Sequence, residues 1–161
     1  MNNLTLIPFG LQGKIYRSPM PQGSFDYGLT TVDEMRTAGI SKVVVLVEEF
    51  EWWQRANVDL LAIYKQHGIG MLHYPVKDFG IPDDLDSYLG MVQKVVSLAC
   101  VGDNIAIHCF AGIGRTGTFL TAMAVEVFGW CPLEAVFWIR QFILGAVENE
   151  GQLEFVVRAF Q

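Results

Sequence analysis

The stretch Asn104-Ile105-Ala106-Ile107-His108-Cys109-Phe110-Ala111-Gly112-Ile113-Gly114-Arg115-Thr116-Gly117 decides the fold. Asn104 to His108 is short and apolar at its centre, as a buried strand requires. Cys109 to Gly114 is a glycine-bearing loop, and Arg115 to Phe128 is an apolar helix. In open α/β sheets, ligands collect off the carboxyl ends of such strands. The amino end of the following helix gathers unpaired N–H donors and a partial positive charge, so it holds anions. Gly112 and Gly114 let successive N–H groups turn towards one centre. A cysteine at the start of this loop is expected to be a thiolate at neutral pH. Arg115 adds a planar fork that can grip two oxygens of a phosphate. Cys109 and Arg115 bracket five residues, which suits the wrapping of one tetrahedral oxyanion.

Working outward, strand-length apolar runs alternate with amphipathic stretches. Lys14 to Arg17, Lys42 to Val47 and Met71 to Val76 read as strands; the valine-rich second run suits a strand covered on both faces. Thr31-Val32-Asp33-Glu34 opens a helix that stops at Gly39. Further helices are expected over Glu51 to Gln66, Leu85 to Val101, Pro132 to Ile143 and Glu150 to Phe160. The alternation predicts one α/β domain over residues 1–161, with a mainly parallel sheet of four to five strands flanked by helices on both faces.

Composition narrows the function. The 161 residues are 52% hydrophobic and 17% charged, which argues against disorder. A net charge of −6 argues against a general nucleic-acid binder, whose affinity comes from phosphate neutralisation. No apolar run is long enough to span a bilayer, and no basic residue precedes Lys14, as a signal peptide would want. Three cysteines without a C-x-x-C pair fit a reducing compartment. A soluble, cytoplasmic protein is the expectation. Cys100 and Cys131 are expected to be small buried side chains. Trp52, Trp53, Trp130, Phe137 and Trp138 are expected in core or rim packing. His67 and His73 are not at ligand spacing, so no metal site is expected. Gly112-x-Gly114-x-x-Gly117 is also a literal dinucleotide-binding pattern, but 44 residues follow it and none forms a strand ending in an acid for ribose recognition.

The pattern of His108, Cys109, five residues, Arg115 and Thr116 resembles the signature of the cysteine-dependent protein tyrosine phosphatases, and the chain is similar to their small dual-specificity branch. The resemblance implies a hydrolase with Cys109 as nucleophile, forming a phosphocysteine. The amides of Phe110, Ala111, Gly112, Ile113, Gly114 and Arg115, with the Arg115 side chain, would bind the phosphoryl oxygens. Thr116 would donate a hydroxyl hydrogen bond to the thiolate, and His108 would order the loop from behind. Asp78, 31 positions upstream of Cys109, would be the general acid, with Asp83, 26 positions upstream, in reserve. Gln152 would position the hydrolytic water, with Glu148 supporting its loop. Glu48 or Glu49 would brace Arg115. Ile143 and Leu144 stand where the family pattern has a basic residue and a proline, so the resemblance carries no inference about recognising highly charged substrates.

The implied substrate is a phosphorylated protein or peptide, tyrosine phosphate foremost and serine or threonine phosphate admitted. No cofactor, nucleic acid or membrane is implied, and a monomer is expected. Two other readings use the same loop: a binding module that holds phosphorylated partners without turnover, and an RNA 5′-triphosphatase.

Overall fold

A computed structural model describes residues 2–161. The elements run β1 (Thr5–Ile7), β2 (Ile15–Ser18), α1 (Thr31–Thr37), β3 (Lys42–Val45), α2 (Glu49–Ala56), α3 (Leu60–Gln66), β4 (Gly70–His73), α4 (Leu85–Cys100), β5 (Ile105–His108), α5 (Gly114–Phe128), α6 (Pro132–Arg140) and α7 (Glu150–Ala159). The five strands form one sheet in the order β1-β2-β5-β3-β4. Only β1 pairs antiparallel, with β2; the other pairings are parallel. The expected α/β architecture is therefore present, with a short edge strand that the sequence reading did not single out.

Successive strand residues face opposite sides of a sheet. Val43, Val44 and Val45, and all of Ile105 to Ile107, are fully buried, so the centre of the sheet is covered on both faces. The right-handed rule for parallel crossovers puts α1, α2 and α3 over one face and α4 over the other. There α5 packs against α4, α6 and α7. Its residues are buried without a break from Gly114 to Ala124, as befits a helix enclosed on all sides. The connections after β2 and β3 leave towards one face and the connection after β5 towards the other. The crevice at the carboxyl end of β5 is thus a topological switch point.

Four expectations need correction. The single helix expected over Glu51 to Gln66 is two helices: Asn57 turns left-handed at φ 51°, and Asp59 caps the second by accepting from the Ala62 N–H. The helix from Pro132 ends at Arg140, three residues early. Cys100 and Cys131 are exposed, because they sit at the end of α4 and at the cap of α6. Trp52 is in the core, while Trp130 and Trp138 join Phe9, Phe128 and Phe142 in an aromatic cluster; Trp53 and Phe137 are exposed. Among the described residues, no helix is long and apolar enough to cross a membrane.

Candidate active site

The loop after β5 owes its shape to carbonyls pulled outward. Phe110 O accepts from the Met20 N–H at 2.9 Å. Arg17, at the end of β2, donates from Nη2 to Ala111 O at 2.8 Å and from Nε to Gly112 O at 3.0 Å. Three successive carbonyls are therefore held by β2 and the segment after it; a trans peptide sets the following N–H opposite its C=O, so the amides of Ala111, Gly112 and Ile113 turn the other way. Gly112 sits at φ 77°, and a Cβ there would collide with Ser18 O and the Arg17 guanidinium. Only glycine fits this position. A Cβ on Gly114 would collide with the Glu148 carboxylate.

Cys109 is 3% exposed at the floor of this loop. Thr116, one turn into α5, is fully buried, and its Oγ1 has no hydrogen-bond partner among the described residues. The expected bond from Thr116 to Cys109 is thus not formed here, but the hydroxyl proton is uncommitted.

His108 is fully buried at the end of β5. Its Nδ1 is 2.8 Å from Cys109 O, and its Nε2 is 2.7 Å from the Tyr64 hydroxyl. A carbonyl only accepts, so Nδ1 carries the proton and Nε2 accepts from Tyr64. Burial pushes the imidazole down to about 4, with the nearby Arg115 charge acting the same way. A group held below its unfolded pKa of about 6.5 stabilises the fold at neutral pH and loses that stabilisation as pH falls from there through 4. Between pH 7.5 and 4.5 this one residue is expected to remove about 2.5 kcal/mol. Urea titrations of the native protein and of His108→Gln at both pH values would check it: the pH-dependent loss should be smaller in the variant by that amount.

Arg115 is 3% exposed and held on one side by Glu51, which is fully buried. Nη1 donates to Glu51 Oε2 at 2.7 Å and to Val76 O at 2.9 Å; Nη2 donates to Glu51 Oε1 at 2.9 Å. Burial pulls the guanidinium pKa down, but the Glu51 hydrogen bonds and the charges of Cys109, Glu51 and Asp78 more than offset it and leave it raised. This corrects the expected bracing residue. Glu48 does not touch Arg115; it precedes α2 and gives its N–H to Glu51 Oε2 at 2.7 Å. The brace is Glu51, one helical turn on.

The second edge of the fork runs toward Asp78, which lines the cavity; Arg115 itself is not among the lining residues. Among the described residues Nε has no acceptor, and Nη2 lies 3.0 Å from Asp78 Oδ1. Asp78 also pairs through Oδ2 with Arg55 Nη2 at 2.8 Å. Asp83 is exposed and does not line the cavity. The cavity, about 420 Å³, is lined by Cys109, Phe110, Ala111, Ile113, Gly114, Asp78 and Glu148, and by three residues that sequence reasoning missed: Phe25, Arg55 and Phe79.

Gln152 is fully buried and does not line the cavity. Its Oε1 accepts from the Glu148 N–H at 2.9 Å, and its Nε2 donates to Gly80 O at 3.4 Å. It therefore ties the Glu148 loop to the Asp78 loop. Val147, a β-branched residue at φ 56°, is held in that loop by Arg140, whose Nη2 donates to Val147 O at 2.9 Å. Burial raises the Glu148 pKa, and the Asp78 charge adds to it.

Among the described residues no cluster of His, Cys, Asp and Glu could hold a metal ion. The set does what nucleophilic displacement at phosphorus needs: an anion cradle, a buried sulfur at its floor, a guanidinium fork and a carboxyl group at the mouth.

Comparison with known proteins agrees. The family model described as "Polymorphic toxin system, DSP-PTPase phosphatase" matches residues 26–127. Over 96 residues the chain is 31% identical to the tyrosine-protein phosphatase non-receptor type 61F of Drosophila melanogaster, covering 54% of this chain and 18% of that protein. Over 114 residues it is 30% identical to tyrosine phosphatase 067L of Invertebrate iridescent virus 3, covering 69% of this chain and 45% of that one. The chain thus spans less than half the length of these curated relatives. Among solved structures, Tk-PTP in its active form superposes with a TM-score of 0.75 at 29% identity, over 91% of this chain and 90% of that one. A kinase associated phosphatase with its catalytic site cysteine replaced by serine shares the fold, with a TM-score of 0.85 at 19% identity over 95% and 90% of the two chains.

Proposed function

The chain belongs to the DSP-PTPase phosphatases, and from that membership we propose that residues 1–161 hydrolyse phosphorylated proteins or peptides, phosphotyrosine foremost, through a phosphocysteine. One observation supports the reading: a buried sulfur starts a loop whose next three carbonyls are held away by Met20 and Arg17, and a guanidinium fixed by Glu51 reaches Asp78 at the cavity with its other edge.

In the first step the Cys109 thiolate attacks phosphorus, an S–P bond forms and the ester P–O bond breaks. The three phosphoryl oxygens are held by the amides of Phe110 to Arg115 and by Nε and Nη2 of Arg115, so charge that builds up in the transition state meets preset donors. Asp78 gives its proton to the leaving oxygen. In the second step a water attacks phosphorus, Asp78 takes one of its protons, and the S–P bond breaks to release inorganic phosphate and the thiolate. The free Thr116 hydroxyl serves the sulfur as a donor when it carries the negative charge. Gln152 acts here as a positioning residue through Glu148 and Gly80.

The mouth of the cavity supports an aromatic substrate. Phe25 and Phe110 meet edge to face at 5.5 Å between centroids, and exposed Phe79 lines the same cavity. A phenyl ring entering between them gains apolar contact and ring–ring geometry that a serine or threonine side chain cannot. Peptides carrying phosphotyrosine are therefore expected to be turned over with higher kcat/KM than matched phosphothreonine peptides.

The test of the mechanism is the leaving group. Asp78→Ala should slow hydrolysis of esters with poor leaving groups by about 10²-fold or more, from the usual size of general-acid effects. An activated aryl phosphate, whose phenolate departs unaided, should be affected far less. An equal loss on both substrates would rule Asp78 out as the acid.

A further inference from the structure

We propose that Arg55 is the pivot on which Asp78 turns from Arg115 to the leaving oxygen. The inference rests on the phosphatase reading above. Four charges form a closed ring in the structure. Glu51 binds Arg115 on both η nitrogens, Arg115 Nη2 meets Asp78 Oδ1 at 3.0 Å, Asp78 Oδ2 meets Arg55 Nη2 at 2.8 Å, and Arg55 Nη1 lies 3.7 Å from Glu51 Oε1. A phosphoryl group needs the open edge of Arg115, Nε and Nη2. It must therefore displace Asp78 Oδ1, while Glu51 stays on the other edge.

What remains to Asp78 is Arg55, and Arg55 is fixed independently of it. Its guanidinium carbon stands 4.3 Å from the centroid of the Phe110 ring, a cation–π contact with the residue next to the nucleophile. It sits four residues after Glu51 on α2, within reach of the same carboxylate.

The backbone around Asp78 is pinned on both sides. Val76 O accepts from Arg115, and the Val76 N–H donates to Leu46 O. Phe79 O accepts from Asn149, and Gly80 O from Gln152. The acid thus changes place by rotation of its side chain about a held oxygen, with little movement of the loop. Arg55 is a positioning residue: it touches neither the transferring phosphoryl group nor the leaving atom, and it acts through Asp78.

The experiment compares Arg55→Met, which keeps an apolar stem over Phe110, with Arg55→Lys and Asp78→Ala, each assayed on an activated aryl phosphate and on an alkyl or unactivated aryl phosphate. Arg55→Met should lower kcat on the poor leaving group by about 10- to 100-fold, as misplaced acids do. It should affect the activated substrate several-fold less than the poor one, and a thermal melt followed by circular dichroism checks that the variant is folded. Arg55→Lys should recover part of the loss. In the Asp78→Ala background, Arg55→Met should add less than about twofold. Equal losses on both substrates, or full additivity with Asp78→Ala, would overturn the pivot and leave the phosphatase reading standing. If Asp78→Ala itself shows no leaving-group dependence, the acid assignment fails and the pivot falls with it.

Discussion

Cys109→Ser should abolish turnover, with kcat on an aryl phosphate lower by about 10⁴-fold or more. The side chain is one atom different and the cradle is unchanged, so phosphate or a phosphopeptide should still bind. What disappears is the nucleophile. A serine hydroxyl at neutral pH keeps its proton, and the carboxylates that line the cavity, Asp78 and Glu148, are engaged elsewhere: one is paired with Arg115 and Arg55, the other lies against Gly114. Steady-state hydrolysis together with rapid-quench capture of the phosphorylated enzyme would measure both halves of the expectation. Retention of more than about a tenth of the activity would sink the covalent mechanism. A wild-type protein that binds phosphopeptide yet releases no phosphate would restore the binding-module reading.

Glu51→Ala should be the most damaging substitution for the fold among the residues of the site. Glu51 is fully buried, and its partner Arg115 is 3% exposed. Truncating one half of such a pair strands the other charge out of water, which costs about 3–5 kcal/mol. In a domain of this size that lowers Tm by roughly 10 °C. Activity should fall as well, since the open edge of Arg115 is aimed by the closed one. Glu51→Gln keeps an acceptor for one η nitrogen and should be milder on both counts. Thermal melts and aryl phosphatase assays of the two variants would check this. A Glu51→Ala protein as stable and active as the wild type would mean that Arg115 is placed by the helix alone.

The parts of the site that were legible in the sequence are those carried by one continuous segment. His108, Cys109, Arg115 and Thr116 share a strand–loop–helix unit; an anion cradle with Cys109 and Arg115 follows from where such a loop must sit, while the roles of His108 and Thr116 are what the family resemblance implies. Glu51 and Arg17 act across 64 and 95 positions of chain. The acidic stretch Glu48 to Glu51 was visible, but which carboxylate points inward depends on where α2 begins, and helix periodicity selects Glu51. Arg55 shares that helix face, four residues on, a spacing that could have flagged it. Arg17 had no local signal, because only the parallel pairing of β2 with β5 puts it beside the loop. The break at Asn57 was readable in retrospect: a residue that tolerates a left-handed turn is followed two positions later by an aspartate able to cap. Gln152 was expected to position the hydrolytic water, but its amide is spent between two loops, which only three-dimensional packing shows.

The ring of Arg55, Asp78, Arg115 and Glu51 bears on product inhibition. Asp78 is a tethered competitor for the Arg115 edge, at an effective concentration of roughly millimolar or above. Every orthophosphate left after hydrolysis must share that edge with a carboxylate that cannot diffuse away. On the proposed reading this competition is expected to weaken the hold on incoming esters and, in the same measure, on the orthophosphate left behind.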